Sequence, residues 1–159
     1  MRSKSNSSAP RFLKGAIAVA AVVLLAACGS DSTGPKNANV AGTYSLSTVN
    51  GASLPYTVPN TGANVEIVQA ATITLTGDSA YTVNATGTVN GSAGTLLTDA
   101  GHYSVAGSQV TFTSTAIPGA HYTAVASGTG ASTVLTASIA GAIVNSTDLS
   151  FTLVLTKTS

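Results

Sequence analysis

Few side chains in this chain can do chemistry: one cysteine, Cys28, two histidines, His102 and His121, and five acids, Asp31, Glu66, Asp78, Asp99 and Asp148. A lone thiol forms neither an internal disulfide nor a thiolate metal cage, so stability has to come from packing. Two histidines cannot make a histidine-rich metal site, and any metal would need Asp99, Glu66, Asp78 or Asp148 as further ligands. Asp99 and His102 fall on opposite faces of a regular strand, and only a bulge at Gly101 could bring them together. The many serines and threonines include no Gly-x-Ser-x-Gly elbow and no Ser-x-x-Lys pair, and no glycine-rich loop stands beside a lysine to cradle phosphate. The expectation is a protein without catalytic activity, metal or cofactor.

The position of Cys28 is more informative than its reactivity. It follows Leu25-Ala26-Ala27 at the end of the apolar run Ala16–Ala27, which a leader bearing Arg2, Lys4, Arg11 and Lys14 precedes. That run falls well short of the roughly 20 apolar residues that span a bilayer, so it reads as a secretory signal helix rather than a membrane anchor. Cleavage after an Ala-x-Ala site is the plain alternative. The Leu-Ala-Ala-Cys ending resembles the lipobox of bacterial lipoproteins, and that resemblance implies a diacylglyceryl group on Cys28, cleavage before it, and attachment to the cell envelope. Where such proteins stay at an inner membrane, aspartate follows the cysteine. Here Gly29 follows it, which tilts the expectation toward an outer membrane or the cell surface.

Once the leader is removed, the basic residues are Lys36 and Lys157 alone, against all five acids. Two separated lysines cannot displace phosphate counterions along a duplex, so nucleic acid is not an expected partner. The stretch Gly29–Asn39 offers nothing to bury and reads as a flexible spacer. The chain therefore divides into a signal peptide at 1–27, a lipidated tether at 28–39 and one folded domain at 40–159.

In that domain the hydrophobic period is two. Val65, Ile67, Ala71, Ile73 and Leu75 alternate with Glu66, Thr72 and Thr74; Tyr81, Val83 and Ala85 alternate with Thr82, Asn84 and Thr86; and Leu149, Phe151, Leu153 and Leu155 alternate with polar residues. Eight strands are predicted at 42–49, 65–76, 80–89, 95–105, 109–115, 121–127, 132–139 and 148–157. Asn50-Gly51 and Asn90-Gly91 suit two-residue turns, and the repeat of Thr-Val-Asn-Gly at 48 and 88 reads as one turn needed twice rather than a duplication. Pro55 and Pro59 exclude a continuous ladder over Leu54–Asn64, which is predicted to be a long loop. Asn84, Asn90 and Asn145 match a glycosylation pattern but read as strand and turn residues.

Short antiparallel strands must hide their edges, and closure removes them, so the predicted fold is all-β: an eight-stranded antiparallel up-and-down barrel, with a β-sandwich as the alternative. Gly42-Thr43-Tyr44, Val49-Asn50-Gly51-Ala52-Ser53-Leu54-Pro55 and Gly101-His102-Tyr103 resemble small bacterial lipocalin-like lipoprotein domains. Tyr44 stands where lipocalins proper carry tryptophan, which this chain lacks. Tyr44, Tyr81, Tyr103 and Tyr122 all fall at inward positions, mixed with Ala71, Ala85, Ala124, Ala126 and Ala137. They either fill the core or line a cavity for a small apolar or amphipathic ligand. The alternative role is a structural module of the envelope that contacts a protein or glycan through its threonine-rich face or the Leu54–Asn64 loop.

If Cys28 is the lipid site, Cys28→Ala should abolish metabolic labelling with a radioactive fatty acid and either leave the leader uncut or release a soluble product. A free thiol at residue 28 of processed, membrane-bound protein would contradict the assignment.

Overall fold

The computed structural model describes residues 36–59, 61–144 and 147–159, so the leader, Cys28 and most of the expected tether lie outside the described residues. The strands are β1 (Gly42–Val49), β2 (Ala52–Ser53), β3 (Tyr56–Thr57), β4 (Glu66–Leu75), β5 (Ala80–Val89), β6 (Ser92–Ala106), β7 (Gln109–Ser114), β8 (His121–Ser127), β9 (Val134–Val144) and β10 (Thr147–Lys157). Each long strand pairs antiparallel with its neighbour in sequence, and β1 pairs with β10 on one side and β4 on the other. Tyr44 stands opposite Lys157 and Ile73 at once. That double pairing closes the eight long strands into an up-and-down barrel and excludes an open sandwich. β2 and β3 are two-residue pairings in which the loop after β1 touches β1 and β4.

The turns explain where the strands begin. Asn50 and Asn90 both sit at φ 51°, followed by Gly51 at 79° and Gly91 at 82°, the left-handed pair that a two-residue hairpin with right-handed twist requires. Each asparagine also bridges to the adjoining strand. The Asn50 amide donates to the Thr152 carbonyl while its Oδ1 accepts from the Thr152 amide, both at 2.8 Å. Asn90 makes the same two bonds with Val65, at 2.9 and 2.8 Å. The repeated Thr-Val-Asn-Gly is thus one device used twice. Because the second turn is so tight, β6 starts at Ser92 and not at 95; Ser92-Ala93-Gly94 lacks an apolar signal and is held by the ladder to β5. β9 likewise runs on to Val144 by pairing with β10.

The barrel has two unlike ends. At one end the largest fully buried side chains collect: Tyr44, Leu75, Leu135, Val40 and Val110. The segment before β1 seals this end. The Ala38 amide donates to the Gly107 carbonyl at 2.8 Å, the Gly107 amide to Asn37 Oδ1 at 2.9 Å, and the Tyr44 hydroxyl to the Val40 carbonyl at 2.8 Å. Asn37 and Ala38, read from sequence as tether, are therefore docked on the domain. Lys157 completes the seal by donating to the Ala41 carbonyl with its Nζ 5.9 Å from the Tyr44 ring centroid.

Toward the other end the ladder is broken by bulges. Register shifts fall between Leu46 and Thr48, between Val68 and Ala70, at Leu96 opposite Ala85 and Thr86, and between Leu149 and Phe151. An extra residue bends a strand and raises its twist, which is how a small sheet is coiled into a barrel. Gly87 and Gly101 serve the same coiling: a Cβ at either would run into a carbonyl of the neighbouring strand, Ile67 or Thr113. A bulge also inverts alternation beyond it. The predicted inward side of β4 therefore holds for Ala71, Ile73 and Leu75 but not for Val65, which is 51% exposed; past the bulge it is Glu66 and Val68 that face the interior.

Packing differs between the ends in a way that unfolding can read. Leu75→Ala, at the sealed end, should cost about 3 kcal/mol. Phe151→Ala, which removes an inward but only part-buried ring, should cost less, and the exposed Thr152→Ser should stay within about 0.5 kcal/mol of neutral. Urea unfolding of the three variants orders the costs, and a Phe151→Ala cost above that of Leu75→Ala would contradict a loosely packed upper barrel.

Candidate functional site

The interior between the sealed end and the bulged end is not filled. A cavity of about 650 Å³ lies there, walled mainly by aliphatic and aromatic side chains. Leu46 of β1, Ile73 of β4, Tyr81 of β5, Phe112 of β7 and Leu155 of β10 border it on the sealed side. Ala71, Ala85 and Ala137 contribute short walls, and it is these that leave the space.

The opening follows from strand lengths. β6 and β9 have 15 and 11 residues, whereas β7 and β8 between them have six and seven. Pairing of β6 with β7 ends at Gly101 opposite Ser114, so Ser92–Ala100 stands above its short neighbour. The barrel wall is notched at this place, and Gly119, Ala120 and His121 form the sill of the notch, with Leu96 and Leu97 on the β6 side. The Leu96 bulge is what lets both consecutive leucines border the cavity. Across the mouth, Tyr56 from β3 packs edge-on against Phe151, ring centroids 6.5 Å apart, so the loop after β1 forms part of the rim.

One acid is set into this apolar wall. Asp99 is 6% exposed and lines the cavity. Its Oδ2 accepts from the Tyr81 hydroxyl at 2.8 Å, and its Oδ1 accepts from the Ser114 hydroxyl at 2.5 Å and from the Ala100 amide at 2.9 Å. Ser114 Oγ in turn accepts from the Ile117 amide at 2.8 Å. Three neighbouring strands and the loop after β7 are thereby tied to one carboxylate. Such a group can be buried only because donors replace the water it gave up. Tyr81 is held further by Phe112, whose ring meets it edge-on at 5.2 Å.

Of the four tyrosines proposed from sequence, the structure brings two to the cavity: Tyr81 and Tyr122. Tyr44 is wholly buried in the seal, and Tyr103 turns its hydroxyl to the Thr76 carbonyl at 2.7 Å while its ring leans on Phe112. Burial pushes the ionisation of all four above the ordinary tyrosine range, and the Asp99 charge adds to this at Tyr81 and Tyr122. Tyr81 is raised furthest, because its proton is also the one that Asp99 accepts. The two histidines separate. His121 sits at the rim with Nδ1 3.3 Å from the Thr113 hydroxyl, and His102 faces outward on the side of β6 opposite Asp99, since the β6 bulge is at Leu96 and not at Gly101. Among the described residues no three histidine, cysteine or acidic side chains converge.

Sequence reasoning weighs Asp99 only as a metal ligand and does not single out Ser114, and the structure makes them hydrogen-bond partners. An acid at an inward strand position, two residues before inward Gly101 and in register with inward Val83, was the available signal.

Raised tyrosine ionisation has a sign for stability. Above pH of about 10 the unfolded chain releases tyrosine protons that the folded chain keeps, so the stability these groups hold below that pH is lost as pH rises. The urea midpoint of the parent should fall between pH 9 and 11.5, and Tyr81→Phe should flatten that fall; an equal fall in both would contradict the placement of Tyr81.

No known protein family, no curated protein and no solved structure matches this chain, so the chemistry of the cavity has to be argued from its own residues.

Proposed function

We propose that the protein is a lipid-anchored component of the bacterial cell envelope whose barrel carries one small apolar or amphipathic molecule, by binding and without turnover. The observation that carries this reading is the cavity of about 650 Å³, apolar over most of its wall, with the hydrogen-bonded Asp99 set into that wall and an opening at one end. Its volume falls within the roughly 300–1,000 Å³ of sites that enclose a small ligand. Burying an apolar body there would be driven by about 25 cal/mol for each Å² taken from water. The mouth favours entry, because Leu97 borders the cavity there and is left exposed.

The envelope location is supported by the basic leader, the short apolar run and Leu25-Ala26-Ala27-Cys28. A diacylglyceryl group with a third acyl chain on the amine would exceed the two signals that stable anchoring needs.

Native mass spectrometry of protein purified from its own host tests the carrier reading by showing a reproducible non-covalent adduct. Ala137→Phe, which puts a ring into the cavity, should remove the adduct and abolish the fluorescence of a neutral apolar dye while the β-sheet circular dichroism is unchanged. Dye binding that survives Ala137→Phe at full strength would place it outside the barrel and defeat the proposal.

A further inference from the structure

We propose that the ligand is a cationic amphiphile, a primary amine on an apolar body, seated with its ammonium group against Asp99. This rests on the carrier reading and adds the head-group chemistry to it.

A carboxylate offers about four lone-pair positions. The Ser114 hydroxyl and Ala100 amide occupy two on Oδ1, and the Tyr81 hydroxyl occupies one on Oδ2. One position on Oδ2 is left on a side chain that borders the cavity. All three partners are neutral, so the charge is hydrogen-bonded but not neutralised. Among the described residues, none of the basic side chains after Lys36 is hydrogen-bonded to Asp99: the Lys157 ammonium is engaged at the sealed end by the Ala41 carbonyl and the Tyr44 ring, His102 faces outward, and His121 stands at the sill of the notch with its Nδ1 on the Thr113 hydroxyl. A second acid, Glu66, borders the mouth. The space is therefore apolar and negative, which disfavours a fatty acid and favours a cation.

An ammonium group fits what remains. It has three donors and no acceptor. One would go to the open position on Asp99 Oδ2, forming the charge-assisted bond that neutral partners cannot supply. A second would find the Tyr122 hydroxyl, which borders the same cavity, lies within the field of Asp99 and has no hydrogen-bond partner among the described residues. The Phe112 and Tyr81 rings beside it give a cation further support. The apolar body would lie along Ala71, Ala85 and Ala137 toward the notch.

The test uses the purified full chain and four probes sharing one ten-carbon body: decylamine, decanol, decanoate and decyltrimethylammonium, each displacing a neutral fluorescent dye at pH 7. Decylamine should bind at least tenfold more tightly than decanol, with decanoate weakest. Decyltrimethylammonium, which keeps the charge but has no N–H, should bind at least tenfold more weakly than decylamine. Asp99→Asn keeps one acceptor oxygen, for Ser114 and the Ala100 amide, and sets an amide donor before the Tyr81 hydroxyl, which can turn to accept it; it should bring decylamine to within about threefold of decanol. Equal binding of decylamine and decanol by the parent, equal binding of the two amines, or a preference that survives Asp99→Asn would each overturn the inference while leaving a carrier of apolar molecules standing. Displacement by none of the four would overturn the carrier reading with it. The rankings on the parent decide the question even if the variant fails to fold.

Discussion

Closure of the sheet at β1 is the constraint on which the rest of the molecule depends. A meander of eight strands has two edges, each a row of unpaired amides and carbonyls open to any extended chain. Here the first strand satisfies both edges, because its residues from Gly42 to Ser45 pair with β4 while Tyr44 to Val49 pair with β10. With the perimeter set at eight strands, the interior is of the size that side chains either just fill or leave as one small site. The alanines at inward positions then decide the matter: large residues gather at the sealed end and short ones stand midway, so the same closed wall encloses a packed core below and a space above.

The division between the two halves also marks how far the fold could be read from the sequence. Near the sealed end the ladder is regular, and strict alternation at Tyr44 and Leu46, at Ile73 and Leu75, and at Leu153 and Leu155 identifies the inward face correctly. Toward the mouth each bulge inserts one residue and inverts the alternation beyond it, so a period of two carried through Val65 and Ile67 points the wrong way. Nothing in local composition marks these bulges. They answer to the coiling of the whole sheet, a property that no single strand encodes. Turn chemistry was legible for the opposite reason, since a positive φ at Asn50 or Asn90 is demanded by two residues alone.

The candidate site was legible in part. An interior of mixed tyrosines and alanines left a filled core and a cavity both open, and Tyr81 and Tyr122 border the cavity that the structure shows. Separating them from Tyr44 and Tyr103 needed knowledge of what seals the barrel, which lies in Asn37–Val40, a stretch too poor in apolar residues to declare itself. From sequence Asp99 reads only as a metal-ligand candidate on the face opposite His102, and it has no partners until β5 and β7 are laid beside β6. Its burial is a collective result, three donors from three positions converging on one carboxylate.

The docking of Asn37 and Ala38 onto Gly107 bears on how the domain is held. Anything that grips this chain upstream of Lys36 grips it by the stopper and not by the brim. The notch between β6 and β9 lies at the opposite end of the barrel from this docked segment, so the chain enters the domain on the side away from the opening. A hold applied to the chain at Asn37 and Ala38 would therefore leave the opening clear.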